Sequence, residues 1–295
     1  MKIAIIGPGA IGGTVAAWLG QDTDYEIYVC TRSPLPDGLA IELDGDKITA
    51  APTVHTSPDD ARPVDWVLSA AKTYDSANAA KWLPALTGET TRLAVLQNGI
   101  EQVENFRPFF DPARITPCIV DIPAERTAPG RVLQRRAGTV IVPDGPDGSA
   151  FAALFAHTPI AVTTTDDFAS KAWAKLCINS AGAVNAITLQ PSGIARFAPV
   201  AGLMRQIVEE CAAVGRAEGA VLPDTIADDV VYHYATGDRE GVNSIHADRL
   251  AGRPMEVQAR NGVIVRLGEK HGIATPANRM AKALLEASMI DVHSL

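Results

Sequence analysis

Met1-Lys2-Ile3-Ala4-Ile5-Ile6-Gly7-Pro8-Gly9-Ala10-Ile11-Gly12 is the stretch that decides the fold. Its first six residues form a short apolar run, rich in β-branched side chains and ended by glycine, the pattern of a strand buried on both faces. Residues 10–19 follow with helical spacing, and residues 25–30 alternate as a second strand. Strand, helix and strand within about thirty residues make a βαβ unit, the smallest piece of a parallel sheet. Between the first strand and the helix, Gly7-Pro8-Gly9-Ala10-Ile11-Gly12 reads G-x-G-x-x-G. The first glycine permits a tight turn, the second lets backbone approach a pyrophosphate, and the third lets the helix pack closely on the strand. The free N–H groups at the helix N-terminus face the anion. Glycine-rich turns also join elements without any ligand. Here the strand before and the helix after supply the context that dinucleotide binding requires.

The same texture continues outward. Residues 41–51, with Asp44-Gly45 in the middle, look like a hairpin. Residues 66–70, 93–96, 115–120 and 160–164 read as further strands, and residues 76–86 as a helix. Residues 131–136 and 139–142 are expected to form an antiparallel pair. Strand signals recurring at this interval describe a doubly wound α/β domain of Rossmann type. After Asp166 the strands stop, and helical periodicity takes over at residues 168–187, 200–218, 256–271 and 277–288. Pro223 and Pro276 suit helix starts. The expected organisation is an α/β dinucleotide-binding domain over residues 1–165, then an all-helical domain over residues 166–295 that holds substrate and catalytic groups.

Bulk composition narrows the function classes. The chain has 295 residues, a size that favours two domains. Its 47% hydrophobic and 20% charged residues describe an ordinary globular protein with a proper core. A net charge of −8 argues against a large nucleic-acid surface while leaving room for a local basic pocket. No charge-free apolar run approaches the roughly 20 residues of a membrane span. The apolar N-terminus is broken by glycines and lacks the layout of a signal peptide, so a cytoplasmic protein is expected. Cys30, Cys118, Cys177 and Cys211 stand far apart without metal-ligand spacing, as reduced buried thiols do. The six histidines, His55, His157, His233, His246, His271 and His293, form no metal spacing and no evident histidine–carboxylate dyad. A metal-free site is expected.

The end of the second strand bears on the choice of dinucleotide. NAD-binding chains usually place a carboxylate there to accept from the ribose hydroxyls, whereas this chain has Cys30-Thr31-Arg32-Ser33. A guanidinium and two hydroxyls suit a 2′-phosphate, which favours NADPH; the alternative is that Arg32 is a solvated loop cation.

Three later segments resemble the ketopantoate reductase (2-dehydropantoate 2-reductase) family. The first comprises Ala71-Lys72-Thr73-Tyr74-Asp75 and Leu96-Gln97-Asn98-Gly99-Ile100, similar to the family's lysine and Q-N-G turn. The second is Trp173-Ala174-Lys175-Leu176-Cys177-Ile178-Asn179, similar to its W-x-K-L-x-x-N. The third starts at Asn243-Ser244-Ile245-His246-Ala247-Asp248 and Ala251-Gly252-Arg253-Pro254-Met255-Glu256, and continues to Thr275-Pro276. The S-x-x-x-D…G-R-P-x-E run is the most specific of these. The resemblance spans nearly the whole chain and implies NADPH-dependent reduction of a small-molecule 2-oxo acid, 2-dehydropantoate first, to the 2-hydroxy acid. A homodimer stays open as its assembly.

On chemical grounds, hydride addition to a ketone puts negative charge on the carbonyl oxygen, and the site must stabilise that charge and then supply a proton. A lysine ammonium does both. Lys175 stands four residues before Asn179, so ammonium and amide share one face of a helix; the bland alternative is a surface lysine beside an exposed asparagine. The resemblance implies that Glu256 lies near the nicotinamide ribose and helps to hold cofactor and lysine, where it otherwise only favours a helix dipole. It implies that Ser244 donates to the substrate carboxylate, against a plain helix cap. Lys72 has two readings, a partner of cofactor phosphate or substrate and a solvated strand-end lysine. Asn98 serves the nicotinamide ribose and the substrate, or only its own turn.

One departure stands out. The family commonly carries a second asparagine four residues after the first, and here that position is Ala183. Asn185 lies two residues on, about 200° round an ideal helix, and can replace the missing amide only if the helix loosens near Gly182. A relative acting on another 2-oxo acid is therefore one alternative. A non-catalytic NADP(H)-binding redox sensor is another, although a sensor has no need of Lys175, Asn179, Ser244 and Glu256.

Overall fold

A computed structural model describes residues 1–35 and 37–291. The chain divides into two compact units, Met1–Phe168 and Ala169–Leu295.

In the first unit, β1 (Lys2–Ile6) leads through the glycine turn into α1 (Ala10–Leu19) and on to β2 (Glu26–Cys30). A hairpin follows, β3 (Leu39–Leu43) and β4 (Asp46–Ala50), turning at Asp44 and Gly45, both with positive φ. Next come β5 (Thr53–His55), β6 (Trp66–Ser69), α2 (Ser76–Ala80), α3 (Leu83–Leu86), β7 (Arg92–Val95) and α4 (Gln102–Phe106). The unit continues with β8 (Ile115–Pro117), β9 (Ile119–Asp121), β10 (Ala124–Ala128), β11 (Arg131–Gln134) and β12 (Thr139–Pro143), then α5 (Pro146–Leu154) and β13 (Ala161–Thr165).

The main sheet has six parallel strands in the order β5-β2-β1-β6-β7-β8. Strand order reverses beside β1, which makes its C-terminal end a topological switch point. Alternate residues of β1 serve opposite faces. Ile3 and Ile5 pack with Val15, Leu19 and Phe151, while Ala4 and Ile6 pack with Leu83, Leu86 and Phe106. A strand covered on both sides explains the unbroken apolar run in the sequence. The smaller sheets, β10-β11-β3-β4 and β13-β12-β9, add Leu39, Ile41, Val132, Val140 and Val142 to the first of these clusters.

Three expectations need correction in this unit. β11 and β12 do not pair: β11 lies between β10 and β3, and β12 between β9 and β13. Burying Leu39 and Ile41 of β3 requires a partner strand, and β11 supplies it across about ninety residues of chain, a long-range demand that outweighs local adjacency. Residues 115–120 are two strands, β8 on the edge of the main sheet and β9 in another. Pro117 has no N–H with which to extend the ladder. Residues 76–86 are two short helices, because Pro84 is tolerated only in the first turn of a new one. The short strand β5 and helix α5 carried no signal that the sequence reading used.

The second unit is helical: α6 (Phe168–Ala181), α7 (Ala183–Thr188), α8 (Ala198–Ala217), α9 (Ile226–Thr236), α10 (Ser244–Leu250), α11 (Val263–His271) and α12 (Pro276–Ala287). The expected helix over 168–187 is broken at Gly182. A Cβ there would stand 2.8 Å from both Asn243 Nδ2 and the Tyr234 hydroxyl. Those groups instead donate to helix carbonyls, Asn243 Nδ2 to Gly182 O at 3.2 Å and Tyr234 to Ile178 O at 3.0 Å. Ile178 O is thus shared between Tyr234 and the Gly182 N–H, which still reaches it at 3.3 Å, and side chains inserted into the helix ladder in this way are a recognised cause of kinks. The expected helix over 256–271 instead opens with a wide π turn, Gln258–Gly262, before α11. Pro276 does open α12, whose first N–H groups are capped by the Glu210 carboxylate at 2.8 and 2.9 Å.

Candidate active site

In the first unit the candidate cofactor residues gather at the C-terminal ends of neighbouring parallel strands. Gly7 has φ +85°, a conformation that glycine adopts without strain. A Cβ on Gly12 would lie 2.3 Å from Gly7 O, so only hydrogen fits where α1 crosses the turn. A Cβ on Gly9 would meet no protein atom within 4 Å, which leaves the helix N-terminus open on that side. The first-turn N–H groups, at Ala10, Ile11 and Gly12, lack intrahelical acceptors by construction, and the turn carries no acidic residue. Tight backbone, open space and free donors fit a pyrophosphate.

Lys72 and Asn98 follow β6 and β7 and are both half-buried. Gln97, 3% exposed, braces their loops: its Nε2 donates to Ala71 O and to Ser76 Oγ, each at 2.9 Å. A Cβ on Gly7 would come within 3.0 Å of Ala71, so the glycine turn and the Lys72 loop are in close contact. Gly99, with φ +93°, completes the Asn98 turn. Arg32 is exposed past β2. It is less isolated from carboxylates than the strand end suggested, for Asp75 Oδ2 stands 3.9 Å from its Nη2. A pair so far in water holds Arg32 weakly.

In the second unit, Lys175 and Asn179 lie with Ala174 and Ile178 on a half-buried stripe of α6, while Trp173, Leu176, Cys177 and Ser180 face the core. Glu256 is 4% exposed. Ser244 is the exposed first residue of α10, but Asn243 is its cap, accepting from His246 N at 3.1 Å. Ser244 Oγ instead accepts from Arg260 Nη2 at 2.7 Å, and Arg260 Nη1 reaches Asn179 O at 3.3 Å. Arg260, 1% exposed, thus ties Ser244 to the backbone of Asn179. The sequence reading passed over it.

Part of the specific C-terminal run is structural. Asp248 pairs with Arg253 at 2.9 Å and closes the loop after α10, where Gly252 has φ +62°. Asn261 donates to Ser180 O and to Asn278. Buried His246 fills space, and burial lowers its pKa. Burial also pushes the Tyr234 phenol up to about 12, against the pull of Arg260.

Asn185 does not replace the amide missing at Ala183. It is fully buried, its Nδ2 donates to Gln190 O at 3.0 Å, and its Oδ1 accepts from Asn243 at 3.2 Å. Ala183 is fully buried too. A histidine–carboxylate pair that the sequence did not reveal joins His271 to Glu218, but Glu218 also accepts from Lys270, and the hydrogen bonds from Lys270 and His271 hold its carboxyl below the usual range. His293 lies outside the described residues. The four cysteines are free and buried, and among the described residues no group of His, Cys, Asp and Glu gathers as a metal site. None of the described helices is long and apolar enough to cross a membrane.

The family model "Ketopantoate reductase PanE/ApbA" matches residues 3–147, and its C-terminal counterpart matches residues 167–288. The chain belongs to the ketopantoate reductase family. A 2-dehydropantoate 2-reductase from Caulobacter vibrioides is 56% identical, with 98% of this chain and 99% of that protein covered. One from Mycobacterium tuberculosis is 40% identical over 97% of each. A crystal structure of a PanE/ApbA family ketopantoate reductase from Ralstonia eutropha superposes with a TM-score of 0.89 at 31% identity, over 98% of both chains. Membership makes this ketopantoate reductase-family chain a dinucleotide-dependent oxidoreductase acting on CH–OH groups.

Proposed function

We propose that this chain reduces 2-dehydropantoate to (R)-pantoate with NADPH, in the cytoplasm, as a step of pantothenate biosynthesis. The observation that carries the reading is the cluster on the second unit: Lys175 and Asn179 share an open stripe, and Arg260 ties the exposed Ser244 to it. A 2-oxo acid presents a ketone oxygen and a carboxylate, and this cluster offers an ammonium, an amide and a hydroxyl donor. The 56% identical relative carries the name of that reaction.

In this reading Gly7, Pro8, Gly9, Ala10, Ile11 and Gly12 cradle the pyrophosphate, Arg32 meets the 2′-phosphate, and Lys72 and Asn98 complete the cofactor side. NADPH, when bound, supplies the hydride. The Lys175 ammonium donates to the ketone oxygen, stabilises the negative charge that develops there and passes a proton to it, giving the alcohol. Asn179 and Asn98 orient the substrate, Ser244 donates to its carboxylate, and buried Glu256 holds the lysine and the ribose. Free, buried thiols suit a reducing compartment.

The absence of an amide at Ala183 favours one variation, a relative that prefers a more apolar 2-oxo acid. A panel of 2-oxo acids including 2-dehydropantoate, followed by NADPH absorbance, tests both. Highest kcat/KM on 2-dehydropantoate supports the first reading, and a better substrate without the distal hydroxyl supports the second. No turnover on any member refutes both.

A further inference from the structure

Arg260 is an unusual residue to bury. Its guanidinium sits in the π turn before α11, 1% exposed, with Nη2 on Ser244 Oγ and Nη1 on Asn179 O. Its Nε meets no partner. Glu256, Tyr234 and Asp248 attract the charge, yet burial outweighs them and lowers its pKa below the usual arginine value. Asp248 is already engaged by Arg253. Where only packing is needed, an apolar side chain of similar volume serves as well or better than a buried charge. Retaining the guanidinium here therefore calls for a use beyond filling space.

The hydroxyl of Ser244 shows what that use is. A serine hydroxyl has one proton to donate and two lone pairs to accept with. Arg260 occupies a lone pair, and a guanidinium has nothing to accept a proton with, so the Ser244 O–H must point elsewhere. Ser244 is exposed and Arg260 is buried behind it. The hydroxyl is thus held as an outward donor with a positive charge at its back, polarised by a charge-assisted bond.

We propose that Arg260 is a positioning residue that acts through Ser244 as the buried counter-charge for the substrate carboxylate, and so selects 2-oxo acid anions over neutral ketones. This rests on the reading that Ser244 faces the carboxylate. Arg260 also fixes Ser244 relative to Asn179, so charge and geometry come from one side chain.

The test uses the whole protein with two substrates, 2-dehydropantoate and its neutral lactone. Arg260→Gln should raise KM for the acid tenfold to a hundredfold, equivalent to about 1.4–2.8 kcal/mol and in the range for a hydrogen bond to a charged group. kcat on the acid, kcat/KM on the lactone and NADPH affinity should all stay within about threefold of wild type, a distinction that a general loss of structure would not produce. Arg260→Lys, which keeps the charge, should preserve the preference for the acid and carries the test if the glutamine variant does not fold. Because Arg260 works through Ser244, the double variant Arg260→Gln/Ser244→Ala should lose little more than the worse single one. Equal losses on acid and lactone, additive losses in the double variant, or loss of the acid preference in Arg260→Lys would each overturn the proposal while leaving the functional reading in place. A wild type that reduces neither compound overturns the reading and the proposal together.

Discussion

Two alanine substitutions in the phosphate turn should separate folding from cofactor binding. At Gly12 the new methyl would lie 2.3 Å from Gly7 O and 3.0 Å from Ala70 Cβ. Both neighbours are held by the turn and the central sheet, so α1 itself must retreat. Overpacking of this kind costs about 1–3 kcal/mol. At Gly9 the methyl would meet no protein atom within 4 Å, and φ of −76° suits alanine. The smaller conformational freedom of the unfolded chain favours Gly9→Ala by about 0.4–1 kcal/mol, and alanine's poorer N-capping opposes it by a similar amount. Folding stability should thus stay within about 1 kcal/mol of wild type. The same methyl projects into the space where phosphate oxygens must come within about 3 Å of backbone N–H groups. NADPH affinity should fall at least about tenfold, or 1.4 kcal/mol. Urea unfolding followed by tryptophan fluorescence reads the first quantity, and titration of NADPH fluorescence the second. If Gly9→Ala binds NADPH like wild type, the phosphates do not lie over this turn. If Gly12→Ala is as stable as wild type, close approach of helix and turn is not what requires glycine there.

Arg32→Ala should raise KM for NADPH while hardly affecting NADH, with no measurable loss of stability, because its exposed contact with Asp75 is worth little; equal use of both cofactors by the wild type would count against a 2′-phosphate site. Lys175→Ala should lower turnover by roughly 10²–10⁴-fold, the range for losing a positioned general acid, with little change in NADPH affinity; near-wild-type turnover would return Lys175 to the surface. Asn185→Ala breaks a fully buried amide from Gln190 O and Asn243 Nδ2, and urea unfolding should show a loss of about 1–3 kcal/mol. KM for the 2-oxo acid should move less than about threefold in that variant, since an internally committed amide makes no substrate hydrogen bond; a larger rise in KM without loss of stability would put Asn185 in the pocket.

What was legible in the sequence was local. The glycine turn, the double-faced apolar strand and the span of α1 all follow from periodicity and from backbone demands that a few adjacent residues express. The partner of β11 was not legible, because its choice depends on covering Leu39 and Ile41 some ninety residues earlier. The break at Gly182 was legible only as a glycine, since its cause comes from Asn243 and Tyr234 on other helices. The site divides in the same way. That Lys175 and Asn179 share one helix face was legible from their spacing, but their candidacy for the site came from the family resemblance. Arg260 was not singled out, although a signal existed: it lies three residues after Val257 and three and four before Val263 and Ile264, on the apolar face of the expected helix. A charge on such a face is the informative exception to amphipathic patterning.

Taken together, Ala183, Asn185 and Arg260 describe where this chain keeps its polar groups. On the family pattern, a second amide one helical turn beyond Asn179 extends the donor stripe towards the far end of the substrate. Here that position is apolar and fully buried, and the only nearby amide on α7 is spent on Gln190 and Asn243. The buried charge of Arg260 stands instead behind Ser244, the residue proposed to meet the substrate carboxylate. Discrimination in a pocket is strongest where a buried polar group is left unpaired by the wrong ligand, and weak where an apolar wall merely tolerates an extra hydroxyl. On the proposed reading, a site with its charge at the carboxylate end and no donor from position 183 should separate acids from neutral ketones more sharply than it separates one branched 2-oxo acid from another. Substrate choice among 2-oxo acids would then come from the shape of the pocket, which Ala183, fully buried, can influence only through packing.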